Sequence, residues 1–139
     1  MKRLNLFFEM RRNYGVDFLR FVVAWRLIAG VWPCAIQLKP ISEVSAFFAQ
    51  LQLPLPVVSS YLSLYAQFIC GLLLIIGLWI RPAAIVMIIN FIVAIIAAHL
   101  NDGIEKSSAA WVILAASILF LFNGAGKLSI DNWLSQNKN

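Results

Sequence analysis

The chain has 139 residues, 62% of them hydrophobic and 12% charged, with a net charge of +5; an ordinary soluble domain carries roughly 45 to 50% and roughly 25%. That balance excludes a large soluble catalytic domain and fits a single membrane domain over residues 1–139. No basic groove or recognition motif accompanies the positive excess, so the expected partner is a lipid bilayer and not nucleic acid.

The opening MKRLNLFFEMRRNYG joins basic residues to an apolar run, as a secretion signal would, but no small-residue cleavage site follows, and Arg20 and Arg26 interrupt the apolar stretch. It reads as the start of an uncleaved first helix. Leu4, Phe7, Phe8 and Met10 among basic residues suit a segment lying on the membrane surface. Four apolar stretches follow at 18–38, 57–80, 83–100 and 109–123, each near the roughly 20 residues of a helical crossing. The pattern predicts an all-α fold, an integral membrane four-helix bundle. Pro33 should bend the first helix, because it cannot donate to the carbonyl of Ala29.

Between the first two spans, KPISEVSAFFAQLQLPLP places Val44, Phe47, Phe48 and Leu51 at helical spacing after Ser42. This predicts a short amphipathic outer helix, either an interfacial anchor or a lid over an outward-facing pocket. Arg81 and Pro82 imply a tight turn and an antiparallel hairpin between the second and third spans. LNDGIEKSS turns at Asp102 and Gly103 and restarts a helix near Glu105 to Ser108. In NGAGKLSIDNWL, glycines stop the fourth span and Ser129 is a good N-cap. Asp131 then falls in the first turn, where it meets the positive end of the helix dipole.

Orientation follows from the cations. Lys2, Arg3, Arg11, Arg12 and Arg20 precede or begin the first span, Arg81 lies between the second and third, and Lys127 and Lys138 follow the fourth; the opposite loops hold only Lys39 and Lys106. Both termini should be cytoplasmic. Cys34 and Cys70 lie at different depths without a CxxC, which predicts free thiols, with redox chemistry by the pair the minor reading.

The informative residues are polar ones inside apolar helices. Ser60, Ser63, Gln67 and Gly71 form one stripe on the second span, of the kind that packs helices in lipid. Counting rise puts Arg26 roughly 9 Å and Asn90 roughly 12 Å inside the membrane, with Gln67 at roughly 20 Å and His99 somewhat above it. This predicts two polar layers, Arg26 with Asn90 below and Ser63, Gln67 and His99 above. Arg26 either bends down to the headgroups or turns inward toward Asn90. His99, the only histidine, reads as an interfacial residue or a ligand, but no metal site can be built on it alone. No catalytic triad, P-loop, dinucleotide fingerprint or haem-attachment motif is present.

Taken together, these residues resemble the DoxX family of small four-helix bacterial membrane proteins. RLIAG, from Arg26 to Gly30, is similar to the family's first-helix motif. QFICGLLLIIGLWIRPAA, with Gly71, Gly77 and Arg81, resembles the second-helix motif, although Gln67 stands where the family usually has glutamate. GAGKLSID, with Gly124, Gly126, Ser129 and Asp131, resembles the family's GxG and SLD ending, and His99 and Glu105 match polar positions bordering the last two helices.

The resemblance implies a multi-pass protein of the bacterial cell inner membrane. It points to a membrane subunit of a quinone-linked oxidoreductase or oxidative-stress system, since relatives include a subunit of a thiosulfate:quinone oxidoreductase. On that reading quinone is the cofactor, a redox protein is a partner, and Arg26, Gln67 and His99 provide polar contacts without a self-contained active site. The alternatives are a non-catalytic scaffold or assembly partner, with a homo-oligomer among its forms, and a small-solute or proton pathway.

Overall fold

A computed structural model describes the backbone of residues 2–36, 41–99, 104–124, 126 and 128–136, and the side chains of these apart from 2–13, 41, 98, 99 and 104–106. It contains α1 (Lys2–Ala35), α2 (Ile41–Gln50), α3 (Pro56–Ile76), α4 (Ile80–Ala94) continued by a π-helical turn (Ile95–His99), α5 (Ile104–Asn123) and α6 (Ile130–Gln136). No strand occurs among the described residues, so the all-α expectation holds. Tyr14–Ala35, Pro56–Ile76 and Ile80–Ala97 are long and apolar enough to cross a membrane, and Ser107–Asn123 is a shorter apolar helix. Their bounds shift the sequence-based spans by a few residues.

Residues 2–13 are helical and form one helix with the first span. They continue into α1, whose 34 residues extend about 51 Å at ~1.5 Å per residue. The helix also runs through Pro33 to Ala35. Its buried stripe reads Asp17, Arg20, Val23, Ala24, Leu27 and Val31, at intervals of three and four that place one face inward.

That face packs mainly on α3 and more lightly on α5, while α4 packs on α5 and α3, and α2 lies along α3. Gly71 permits the α1–α3 approach: a Cβ there would stand 2.8 Å from Ile28 Cγ1 and 3.5 Å from the Ala24 carbonyl oxygen. Close backbone contact replaces hydrophobic drive between helices that are already in an apolar solvent. Met87, Phe91, Ile113 and Phe120 fill the interior between α4 and α5. Outward faces are apolar too, with Phe18, Trp25, Leu62, Ile89 and Phe122 all strongly exposed. Such a surface is suited to lipid and would associate in water.

The α3–α4 connection is short, as expected, but lies a few residues earlier in the chain than the sequence placed it. α3 ends at Ile76, Gly77 adopts φ 75° and closes the helix by donating to the Leu73 carbonyl at 2.8 Å, and α4 begins at Ile80 after Trp79. Arg81 and Pro82 therefore sit inside the first turn of α4, not in the loop. Proline is tolerated there because the first-turn N–H groups have no intrahelical acceptor anyway.

Candidate functional site

Two polar assemblies stand at opposite ends of the packed helices. The lower one, at the α3–α4 turn, is a clamp made by the segment that follows α5. Asp17 and Arg20, one turn apart on α1, are almost wholly buried and form an ion pair at 3.5 Å. The Leu128 N–H donates to Asp17 Oδ2 at 3.1 Å, and Arg20 Nη2 donates to the Leu128 carbonyl. One backbone residue thus bonds to both side chains. Gly126, at φ 74°, presents its Cα to the Asp17 carboxylate, which occupies the space a Cβ would need.

Asp131 completes the clamp from the other side. Its Oδ1 accepts from the Trp79 N–H at 3.0 Å and its Oδ2 from the Ile80 N–H at 3.1 Å, while its own N–H donates to the Gly77 carbonyl at 3.1 Å. A carboxylate at a helix N-terminus satisfies orphan donors and meets the positive end of the dipole. Asp131 stands in the first turn of α6, as the sequence placed it, and also faces the N-terminus of α4. Ser129 does cap α6, its Oγ accepting from the Asn132 N–H at 3.2 Å. Gly77 must be glycine on two counts, its positive φ and the approach of Ser129 Cβ to 2.6 Å from where a Cβ would stand.

The upper assembly surrounds a cavity of about 660 Å³ between α1, α3 and α4. Its walls are apolar except for Ser59, Ser60, Ser63, Gln67, Asn90 and Cys34. Val44, Phe47 and Phe48 of α2, with Leu51 just after it, line the cavity, so the apolar face of the amphipathic helix forms part of its wall. Leu62 and Ile89 line the cavity and are also exposed on the outer surface of α3 and α4.

Hydrogen bonding within the cavity is incomplete. Ser60 Oγ donates to the Val57 carbonyl at 2.7 Å, Ser59 Oγ to the Pro54 carbonyl at 2.7 Å, and Gln67 Nε2 to Ser63 Oγ at 3.2 Å. Asn90 Nδ2 is buried and has no hydrogen-bond partner among the described residues. An unpaired buried donor costs about 1 to 3 kcal/mol.

The predicted layers are regrouped. Ser63, Gln67 and Asn90 meet at one cavity instead of lying in two layers. Arg26 does not join Asn90: it is exposed, and its Nη1 lies 3.1 Å from where a Cβ on Gly30 would stand, one turn further along α1. It points along α1 toward Gly30, which lines the cavity, and away from the amino-terminal end. His99 closes the π-helical turn, but its side chain and that of Glu105 lie outside the described residues. Gly124 ends α5 with φ 74°, and Arg81 is exposed beside it, its Nε 3.8 Å from where a Cβ on Gly124 would stand. Cys34 and Cys70 are both free thiols. No group of three or more His, Cys, Asp or Glu able to hold a metal occurs among the described residues.

The sequence reading missed Asp17 and treated Arg20 only as an orientation signal. The available signal was their spacing: opposite charges three residues apart, on the same helical stripe as Val23 and Leu27.

Long apolar helices, lipid-suited outer faces and an internal cavity define a multi-pass α-helical membrane protein. The chain belongs to the DoxX family, whose model matches residues 15–100. That match takes in α2 to α4, most of α1 and the whole cavity, and ends before α5 and the clamp-forming segment. No curated protein and no solved structure matches the chain.

Proposed function

We propose that this protein is the membrane subunit of a quinone-linked redox system in the bacterial inner membrane, with four crossings and both termini cytoplasmic. The orientation rests on the cations gathered toward the lower end, including Arg81 at the α3–α4 turn, since cytoplasmic ends retain lysine and arginine. The ligand reading rests on one observation, the buried and unpartnered Nδ2 of Asn90 in a largely apolar cavity.

A quinone head fits this lining. Ligand pockets are commonly about 300 to 1,000 Å³ and apolar, with a few placed polar groups. Asn90 Nδ2 would donate to a ring carbonyl, Gln67 would offer its remaining amide hydrogen, and Phe47 and Phe48 would lie over the ring or its tail. The surface gap at Leu62 and Ile89 suits an isoprenoid chain still in the bilayer. The bound quinone supplies two-electron chemistry, and a partner redox protein supplies or removes the electrons. The residues of this chain bind and orient the head and exclude water from it.

A proton pathway has less support. Of the described residues that line the cavity, only Cys34 can titrate, and Gln67 carries an amide that neither gains nor loses a proton near neutrality.

Purified from its native membrane, the wild-type protein is expected to carry quinone, and Asn90→Leu to lose it while remaining folded. Arg26→Leu is expected to keep the quinone, because Arg26 is not part of the cavity wall. A folded wild-type protein that neither copurifies with quinone nor binds added ubiquinone or menaquinone would overturn the proposal.

A further inference from the structure

α2 is held differently from the long helices. None of residues 42–50 is buried, whereas α3 and α4 each bury five residues. It lies along α3 and presents Val44, Phe47 and Phe48 to the cavity, with Phe47 still 49% exposed. Segments with few buried contacts are the ones that open locally at least cost.

The connection from α2 to α3 is short and fixed at both ends. The Gln52 N–H donates to the Ala49 carbonyl at 3.1 Å and the Leu53 N–H to the Phe48 carbonyl at 3.3 Å, with Gln52 at φ 55°. This is a Schellman turn, which makes Gln52 part of the end of α2. α3 begins at Pro56. Only Leu53, Pro54 and Leu55 remain between the two, and the proline ring fixes φ at Pro54. Leu55 holds φ 49° and ψ 64°, a left-handed conformation that a Cβ disfavours. It also precedes Pro56, and a residue before proline relaxes toward an extended backbone. Its side chain is 72% exposed, so packing around it does not hold it there. The segment is held by Ser59, whose Oγ donates to the Pro54 carbonyl at 2.7 Å, and by the apolar face of α2 against the cavity.

We infer that α2 is a lid hinged at Leu55. With Leu55 left-handed, the apolar face of α2 forms part of the cavity wall; with Leu55 extended, α2 swings away as a unit, its Gln52 cap intact, and the cavity opens to exchange of its occupant. Filling the cavity biases the hinge toward the closed form, because Phe47 and Phe48 contact an occupant only there. The use of the lid rests on the cavity being a ligand site, as proposed above, but its motion is measured without quinone.

The test follows a thiol inside the cavity, in the whole chain purified into nanodiscs. Ser60 lines the cavity and is wholly buried. Ser60→Cys, in a Cys34→Ser background, is expected to react with N-ethylmaleimide at least about tenfold faster than Cys70, which is buried, does not line the cavity and reports opening of the helix assembly itself. Leu55→Val puts a β-branched residue at the left-handed position and should raise the rate at Ser60→Cys by about fivefold or more. Leu55→Gly, which adopts that conformation freely, should lower it by about threefold or more. Cys70 should react at the same rate in both. Equal rates at the two thiols, or a rate at Ser60→Cys indifferent to the Leu55 substitutions, would overturn the lid; where Leu55→Val does not fold, Leu55→Gly decides alone. Absence of quinone from the native protein would overturn the proposed function and leave these rates as expected.

Discussion

The two ends of the helix assembly treat buried polarity in opposite ways. At the lower end two charges and a capping carboxylate are held by backbone groups: Asp17 and Arg20 share Leu128, while Asp131 takes the Trp79 and Ile80 N–H groups and returns its own to Gly77. Three positive-φ glycines, Gly77, Gly124 and Gly126, shape the chain around them. At the upper end the polar groups are neutral, and Asn90 Nδ2 has no hydrogen-bond partner among the described residues beside about 660 Å³ of space. Bonds to a distant segment fix one arrangement of the chain, and a donor beside open space leaves a place for something else. The lower end is thus a structural lock and the upper end a site.

If this contrast holds, substitutions below should cost stability and those above should cost binding. The largest loss is expected from Arg20→Leu, which strands a buried Asp17; breaking one member of such a pair typically costs about 3 to 5 kcal/mol. Thermal unfolding in detergent or nanodiscs measures it. Replacing both members, Asp17→Leu with Arg20→Leu, should recover part of the loss, because no uncompensated charge remains. Equal damage in the double variant would mean that the Leu128 contacts, not the charges, carry the lock.

Gly126→Ala should follow, at about 1 to 3 kcal/mol for a non-glycine residue at positive φ, with a further penalty because the Asp17 carboxylate fills the Cβ position. A wild-type unfolding temperature in this variant would show that the GAG turn is free to move away from α1. Asp131→Asn is expected to be milder, about 0.5 to 2 kcal/mol, the range of a lost helix cap. One oxygen still accepts, but the charge facing the α4 dipole is gone. Limited proteolysis should then cut sooner between Gly124 and Ser129.

Local sequence made the helices and several of their ends legible. Apolar stretches placed the spans, Val44, Phe47, Phe48 and Leu51 gave the α2 face, and Ser129 announced its cap. The lock was not legible, because its bonds join residues far apart in the chain: Asp17 meets Leu128 across 111 positions, and Asp131 meets Trp79 across 52. Spacing along a helix gives the height of a residue, but the direction it faces depends on which neighbour its helix packs against. That is why rise alone paired Asn90 with Arg26, when rotation of α4 turns Asn90 toward Gln67 and Ser63. α3 and α4 are also apolar around much of their circumference, so periodicity could not choose their inward faces.

The smallest expected change in stability is also the sharpest test of the comparison. Asn90→Leu removes an unpaired buried donor and adds apolar volume to a cavity wall, so unfolding should be unchanged or shifted upward by up to ~1 kcal/mol. Quinone occupancy should fall at the same time. A drop in stability comparable to that of Arg20→Leu would instead place Asn90 in a packing contact essential to the fold, and the upper end would then be a second lock. Stability retained with ligand lost is the signature of a site, because the free energy forgone by leaving Nδ2 unpaired in the empty protein is recovered only when an acceptor enters.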